Sequence, residues 1–314
     1  MEKITAKIQE VAKRLLAEGK VDVVLGFRRG TLPLKTAPYF ARTADEAQNL
    51  YWDSNCRANL ANYLPRRKEK VAVVAKGCDS RNIVNHFLEN QIGRDQVYLI
   101  GVPCRGMIDP DLVAAREPRT ILSAGEEDGK IVLGGRDFET TIDKAEVLRQ
   151  NCRTCVHRNP ALFDELIGEP VQEQQVDRYA DIKELLAKPA AERYEYYREL
   201  VSKCIRCYAC RDACPLCYCP VCFVDETMPQ WVGKSQDPAD VMTYHQLRAF
   251  HCAGRCTDCG ACESACPMGI KVRQFTRLLE MDVKERWGYE AGLSLEAKPP
   301  LIVYRPDDPQ EFIK

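Results

Sequence analysis

The sequence predicts an α/β domain on a mostly parallel sheet, followed by a smaller, cysteine-rich domain of α+β class. Two observations carry this. Val71–Ala75 and Val97–Val102 are short valine-rich runs with a helical stretch, Ser80–Leu88, between them. Strand, helix and strand in that order is the unit of a parallel sheet. Further along, between residues 204 and 266, one cysteine pattern is written twice.

Taken in order, the elements are these. Residues 4–18 form an amphipathic helix with Ile4, Ile8, Val11 and Leu15 on one face. The apolar run Val21–Phe27 reads as a buried strand, and Val71–Ala75 and Val97–Val102 extend the sheet. Gly125–Arg136, with its glycines and charges, reads as a hairpin or loop insertion. The α/β domain therefore spans 1–170. Residues 171–202 form a helical connector, in which Ala180–Ala187 and Ala190–Val201 are separated by Pro189. Residues 203–285 form the cysteine module, which includes a helix over Met242–Phe250. Residues 286–314 are a C-terminal arm rich in proline and charge.

Composition removes several function classes. Lys and Arg number 45 against 46 Asp and Glu, and a net charge of -1 gives no electrostatic case for nucleic acid or anionic membrane. No apolar stretch approaches the ~18 residues a membrane-spanning helix needs. The first helix is amphipathic, unlike the apolar core of a signal peptide. Seventeen cysteines in 314 residues then imply metal sites in a reducing cytoplasm, and exposed metal clusters imply an anaerobe.

The repeated pattern names its cofactor. Cys204, Cys207, Cys210 and Cys214 are spaced two, two and three residues apart and precede Pro215; Cys256, Cys259, Cys262 and Cys266 repeat this before Pro267. This is the bacterial ferredoxin run for two 4Fe-4S clusters, in which the fourth cysteine ligates the other cube. Cluster A is assigned to Cys204, Cys207, Cys210 and Cys266, and cluster B to Cys256, Cys259, Cys262 and Cys214. Zinc prefers paired knuckles that close a tetrahedron and fits a doubled run with matched prolines poorly.

The first domain has its own cysteines. Cys78 and Cys104 each follow an expected strand, at the sheet edge where α/β proteins place their sites. Cys152 and Cys155 form a Cys-x2-Cys pair. Spacing alone leaves open ordinary buried thiols, a zinc knuckle or a redox pair. The segments Gly19-Lys-Val-Asp-Val-Val-Leu25, Lys70-Val-Ala-Val-Val-Ala-Lys-Gly-Cys-Asp79, Ile100-Gly-Val-Pro-Cys104 and Cys152-Arg-Thr-Cys155 resemble, in order and spacing, the coenzyme F-420 hydrogenase and formate dehydrogenase beta-subunit family. The resemblance covers about residues 1–170, ahead of the dicluster ferredoxin module. It implies that Cys78, Cys104, Cys152 and Cys155 ligate a third 4Fe-4S cluster, C.

The departures matter as well. Flavin-binding members carry a Ser-Gly-Gly stretch ahead of the first helix, which is absent here, and no Gly-x-Gly-x-x-Gly fingerprint or phosphate loop occurs. The family's flavin and deazaflavin sites are not carried over, and FAD is left open but not favoured. Cys217, Cys219, Cys222 and Cys252 surround the ferredoxin runs. They could hold a fourth metal, but the simpler reading is thiols packed around the cubes. Cys56 reads as a spare thiol. The histidines make no site: His245 and His251 are placed at the surface or behind the clusters, His157 behind cluster C, and His86 in a structural role. Tyr194, Tyr196 and Tyr197 read as a core face or a docking surface, and Arg28 and Arg29 as a weak anion contact.

Three clusters with no evident catalytic residue describe a wire. The sequence-based expectation is a cytoplasmic electron-transfer subunit of an anaerobic oxidoreductase complex. By the resemblance, it would be linked to formate dehydrogenase, hydrogenase or heterodisulfide reductase. It would pass single electrons between a catalytic subunit and a flavin-bearing or heterodisulfide-reductase-like one. The alternative is a flavin-containing subunit that exchanges hydride with a deazaflavin or nicotinamide coenzyme.

Overall fold

Val71–Ala75 is buried at every position, as a strand covered on both faces must be. The computed structural model describes residues 2–300. The chain divides into two units: one holds the residues up to Leu60 with Arg66–Ser80 and Asn90–Val176, the other Ala61–Pro65, Arg81–Glu89 and the chain from Asp177 on.

The first unit opens with α1 (Glu2–Ala17), which buries Ile8, Val11, Ala12 and Leu15. It continues through β1 (Val23–Arg29), β2 (Thr36–Ala41), β3 (Val71–Ala75), the start of α2 (Gly77–Leu88), β4 (Val97–Gly101) and α3 (Pro110–Arg116). Next come β5 (Ser123–Glu127), β6 (Lys130–Gly134), β7 (Glu139–Asp143), α4 (Gln150–Arg153) and β8 (Glu165–Leu166). The main sheet has the order β2-β1-β3-β4-β8, parallel except for the edge pair β1–β2. The expected hairpin proves to be a separate antiparallel sheet, β5-β6-β7. Its Ile131, Leu133 and Ile142 pack with Ile108, Val113 and Val147.

Register sets the site. Val71 pairs with Val97 and Ala75 with Gly101, so β3 and β4 finish side by side. Lys76-Gly77-Cys78 leaves the end of one strand, and Val102-Pro103-Cys104 leaves the end of the other.

The second unit contains α5 (Ala180–Leu186), α6 (Ala190–Val201), α7 (Ala209–Asp212), α8 (Pro238–His251), α9 (Ala261–Ser264) and α10 (Arg273–Trp287). Among its described residues no strand occurs, so the α+β class expected here appears as helices and turns. The long gap between the cysteine runs is filled by α8, which the Asp237 carboxylate caps by accepting from Ala239 N at 2.8 Å. Val201, Val241, Met242, Ala249 and Phe275 form its core.

Helix α10 buries a polar face: Arg273, Gln274, Thr276, Arg277 and Glu280. Arg273 grips Asp258 through two bonds of 2.6 and 2.7 Å, and Arg277 grips Asp181 at 2.5 and 2.8 Å. Arg178 joins Glu280 at 2.5 Å and Glu290 at 2.9 Å. Of the expected arm, 301–314 lies outside the described residues. Among those described, no helix is long and apolar enough to cross a membrane.

Candidate metal centres

The two cysteine runs of the second unit share one backbone design. In the first, Arg206 (φ 50°) and Tyr208 (φ 60°) are left-handed; in the second, Asp258 (φ 57°) and Gly260 (φ 69°) occupy the same offsets. Only Gly260 adopts this region without steric cost; each of the others costs on the order of 1 kcal/mol or more and persists because its surroundings fix it. The strained turns aim N–H groups at sulfur. Arg206 N donates to Cys204 Sγ at 3.4 Å, and Asp258 N to Cys256 Sγ at 3.4 Å. Such successive amides form anion-binding concavities of the kind found at iron-sulfur sites. The short helices α7 and α9 follow at equal offsets and lead to Cys214 and Cys266.

The fourth cysteines cross over. Cys204, Cys207, Cys210 and Cys266 line one narrow cavity with Tyr244, His245, Ile270 and Val272. Cys256, Cys259, Cys262 and Cys214 line another with Cys252, Arg248 and Arg273. These are the two groupings expected from the spacing.

The donor chemistry suits thiolate clusters. Burial pushes the Cys256 and Cys262 thiols up, so metal binding rather than solvent is what would hold them ionised. The Cys214 thiol is held well below its usual value by hydrogen bonds from the Cys217 and Cys252 thiols. The Arg248 guanidinium is buried and donates to Cys210 O at 3.0 Å, with its charge among the thiols of Cys214, Cys252, Cys262 and Cys217. His245 Nε2 lies 3.3 Å from Cys204 Sγ. Burial first, then Arg248 and Arg206, push this imidazole down to about 4, so it is neutral. Sequence reasoning placed His245 behind the clusters without a partner and missed Arg248. The available signal was helical spacing: Tyr244, Arg248 and Cys252 recur every fourth residue on α8 and its cap.

In the first unit, Cys78 sits in the first turn of α2, where the helix dipole favours a thiolate. Cys104 Sγ accepts from Gly106 N at 3.4 Å, the same i+2 contact seen in both ferredoxin runs, and Gly106 is left-handed (φ 94°). Cys152, on α4, accepts from Met107 N at 3.3 Å. Cys155 donates to His157 O at 3.5 Å. The Cys104 thiol is pushed up to about 12 by burial, then by the thiols of Cys152 and Cys155. The buried Lys76 ammonium, paired with Asp79 at 2.8 Å, carries its charge beside Cys78 and Cys104. Gln174 Nε2 ties the Cys-x2-Cys loop by donating to Cys152 O at 3.0 Å and Cys155 O at 2.8 Å. Lys76 thus lies beside Cys78 and Cys104 at the carboxyl ends of β3 and β4, and Cys152 and Cys155 stand close to Cys104.

The other candidates fall into place. Cys56 is buried and accepts from Asp53 N at 3.4 Å, within its own loop. His86 is buried with Nε2 2.8 Å from Pro215 O. Tyr197 packs on Phe275 with ring centroids 4.6 Å apart, while Tyr194 is 60% exposed, so the tyrosine run is partly core and partly surface. Arg28 and Arg29 lie over the rings of Tyr39 and Tyr51. Cys217, Cys219, Cys222 and Cys252 line a third cavity of the second unit.

No protein-family model matches the chain. An F420-dependent formate dehydrogenase subunit beta from Methanocaldococcus jannaschii is 27% identical, with 92% of each chain aligned. An F420-dependent formate dehydrogenase 1 subunit beta from Methanococcus maripaludis is 26% identical over 92% of this chain and 91% of that one. A chain of the F420-reducing [NiFe] hydrogenase complex from Methanosarcina barkeri aligns with a TM-score of 0.41 and 15% identity, over 65% of this chain and 90% of that one. That last likeness is too loose to carry detail. The two sequence relatives extend the resemblance beyond the α/β domain to nearly the whole chain, and they are subunits of oxidoreductases. By sequence, this chain is similar, over nearly its whole length, to beta subunits of F420-dependent formate dehydrogenases.

Proposed function

We propose that the chain is the electron-relay subunit of a formate-linked oxidoreductase complex, with 4Fe-4S clusters on three cysteine sets. Cys204, Cys207, Cys210 and Cys266 would hold cluster A, Cys256, Cys259, Cys262 and Cys214 cluster B, and Cys78, Cys104, Cys152 and Cys155 cluster C. The observation that carries this is the doubled backbone geometry, in which matched left-handed residues aim amides at Cys204 and Cys256 and the fourth cysteines exchange cavities.

Bound clusters supply one-electron transfer, and their potentials follow charge, hydrogen bonds to sulfur and exposure. The residues of this chain set each of these. Arg206 N, Asp258 N and Gly106 N donate to ligand sulfurs. Tyr244, Ile270 and Val272 exclude water around set A. Arg248 and Lys76 place positive charge beside sets B and C. The names of the relatives support a formate- and F420-linked complex; the proposed partners are a formate-oxidising catalytic subunit at one end of the relay and a flavin-bearing subunit at the other.

The test is a pair of variants, each purified anaerobically. Cys207→Ala should disrupt cluster A alone, and Cys152→Ala cluster C alone, each with loss of up to about four irons per chain. If Cys207→Ala stripped all iron, the sets would not be independent. If Cys152→Ala left the iron content unchanged, the third set would be wrong.

A further inference from the structure

We propose that Cys217, Cys219, Cys222 and Cys252 hold a fourth 4Fe-4S cluster, next to the Cys214 end of cluster B. The inference deepens the relay reading and rests on it in one respect, the assignment of Cys214 to cluster B.

Four observations converge. First, all four cysteines line one cavity of about 410 Å³, together with the apolar Leu216 and Phe223. Second, three of them sit on the loop that follows Pro215, and the fourth caps the end of α8, so the ligands come from two segments some thirty residues apart. Two packed segments fix a cavity wall better than one loop could. Third, the sulfurs of Cys214, Cys217 and Cys252 all lie within 4.8 Å of one another. A proposed ligand of cluster B therefore adjoins two ligands of the proposed site, so the two centres would be neighbours.

Fourth, the charge balance asks for an anion. Arg211, Arg248 and Arg255 all line the cavity. Arg211 is paired with Asp212 and Asp225, and Arg255 with Glu89. Arg248 is 4% exposed, forms no ion pair among the described residues, and its Nε has no hydrogen-bond partner. A buried cation is costly unless an anion faces it, and Arg248 lies between the thiols of set B and those of this cavity, with Cys214 and Cys262 on one side and Cys217 and Cys252 on the other. A cube on the four further cysteines would share this charge with cluster B.

A zinc ion fits the same residues less well. Zinc draws four sulfurs to about 2.3 Å from one point, hence about 3.8 Å from each other, and structural zinc sites are closed. Here the close trio includes Cys214, while Cys219 and Cys222 stand outside it and the space between is open. A larger inorganic core has room in the cavity of about 410 Å³ and would spread Cys217 and Cys252 apart on binding.

The experiment compares wild-type chain with Cys219→Ser/Cys222→Ser, both purified anaerobically and assayed for iron, acid-labile sulfide and zinc. Cys219 is exposed, so Cys219→Ser alone serves as the variant least able to disturb folding. The expected result is a loss of about four irons and four sulfides per chain in the double variant, with far-UV circular dichroism unchanged. Equal iron in wild type and variants would overturn the proposal, as would one zinc per chain that disappears with the substitution. The difference between the two chains reports on this site whatever the total. Cys207→Ala and Cys259→Ala report separately on clusters A and B, so failure of the underlying relay reading would be visible as such.

Discussion

Gly77→Ala should empty one centre and leave the rest of the chain intact. Gly77 lies between Lys76 and Cys78, where β3 turns into α2. A Cβ at this position would stand 2.4 Å from His157 O and 3.0 Å from Asn159 O. Ordinary contact begins at 3.4 Å, so the 157–159 backbone would have to retreat by about 1 Å. That backbone holds two ligands: His157 O accepts from Cys155 Sγ at 3.5 Å, and Arg158 O accepts from Cys104 N at 2.9 Å. Overpacking of this kind costs ~1–3 kcal/mol, against a folding stability of ~5–15 kcal/mol, so the domain stays folded. Metal ligands tolerate displacements of only about 0.2 Å, so the centre should not survive. The assay is iron and sulfide content with circular dichroism, beside Gly125→Ala, where a Cβ meets nothing within 4 Å. The account predicts a loss of about four irons in Gly77→Ala and none in Gly125→Ala. Full iron content in a folded Gly77→Ala chain would refute the claim that the 157–159 segment seats cluster C.

Two further outcomes follow from the second unit. Arg273→Met would leave Asp258 buried without its bidentate partner. Arg178 and Arg277, at 4.0 and 3.9 Å, soften the loss, so the expected cost is about 3 kcal/mol, seen as a lower denaturant midpoint at constant slope. A change below about 1 kcal/mol would mean that the pair does not hold α10 to the second cysteine run. His245→Phe would remove the imidazole 3.3 Å from Cys204 Sγ. A ring N–H at that sulfur stabilises the reduced form, so its loss should lower the midpoint potential of cluster A and leave the others unmoved. An unchanged potential in a redox titration would show that the ring only fills space.

Much of this was legible because it is written in local pattern. β3 and α6 coincide with their expected bounds, since valine runs and helical spacing are self-contained signals. The cysteine groupings proposed for A and B were read from spacing, and each group lines one cavity. Strand β2 was missed because it lies at the sheet edge, half-buried, with Pro38 in its middle. Helix α10 was missed for a different reason: Arg273, Gln274, Thr276, Arg277 and Glu280 are buried among its apolar Phe275, Met281 and Val283, so polar residues interrupt the stripe that would have marked it. The left-handed turns were hidden too, because Arg206, Tyr208 and Asp258 are not residues that announce a positive φ. The four cysteines beside Cys217 were grouped from the sequence, but not the one cavity they line, since Cys252 lies on a different segment.

The most direct test of the relay is the iron, acid-labile sulfide and flavin content per chain of the wild-type protein after strictly anaerobic purification. The account predicts about twelve irons from clusters A, B and C, rising to about sixteen with the fourth site, and no flavin. Eight irons or fewer, or one flavin per chain, would contradict it.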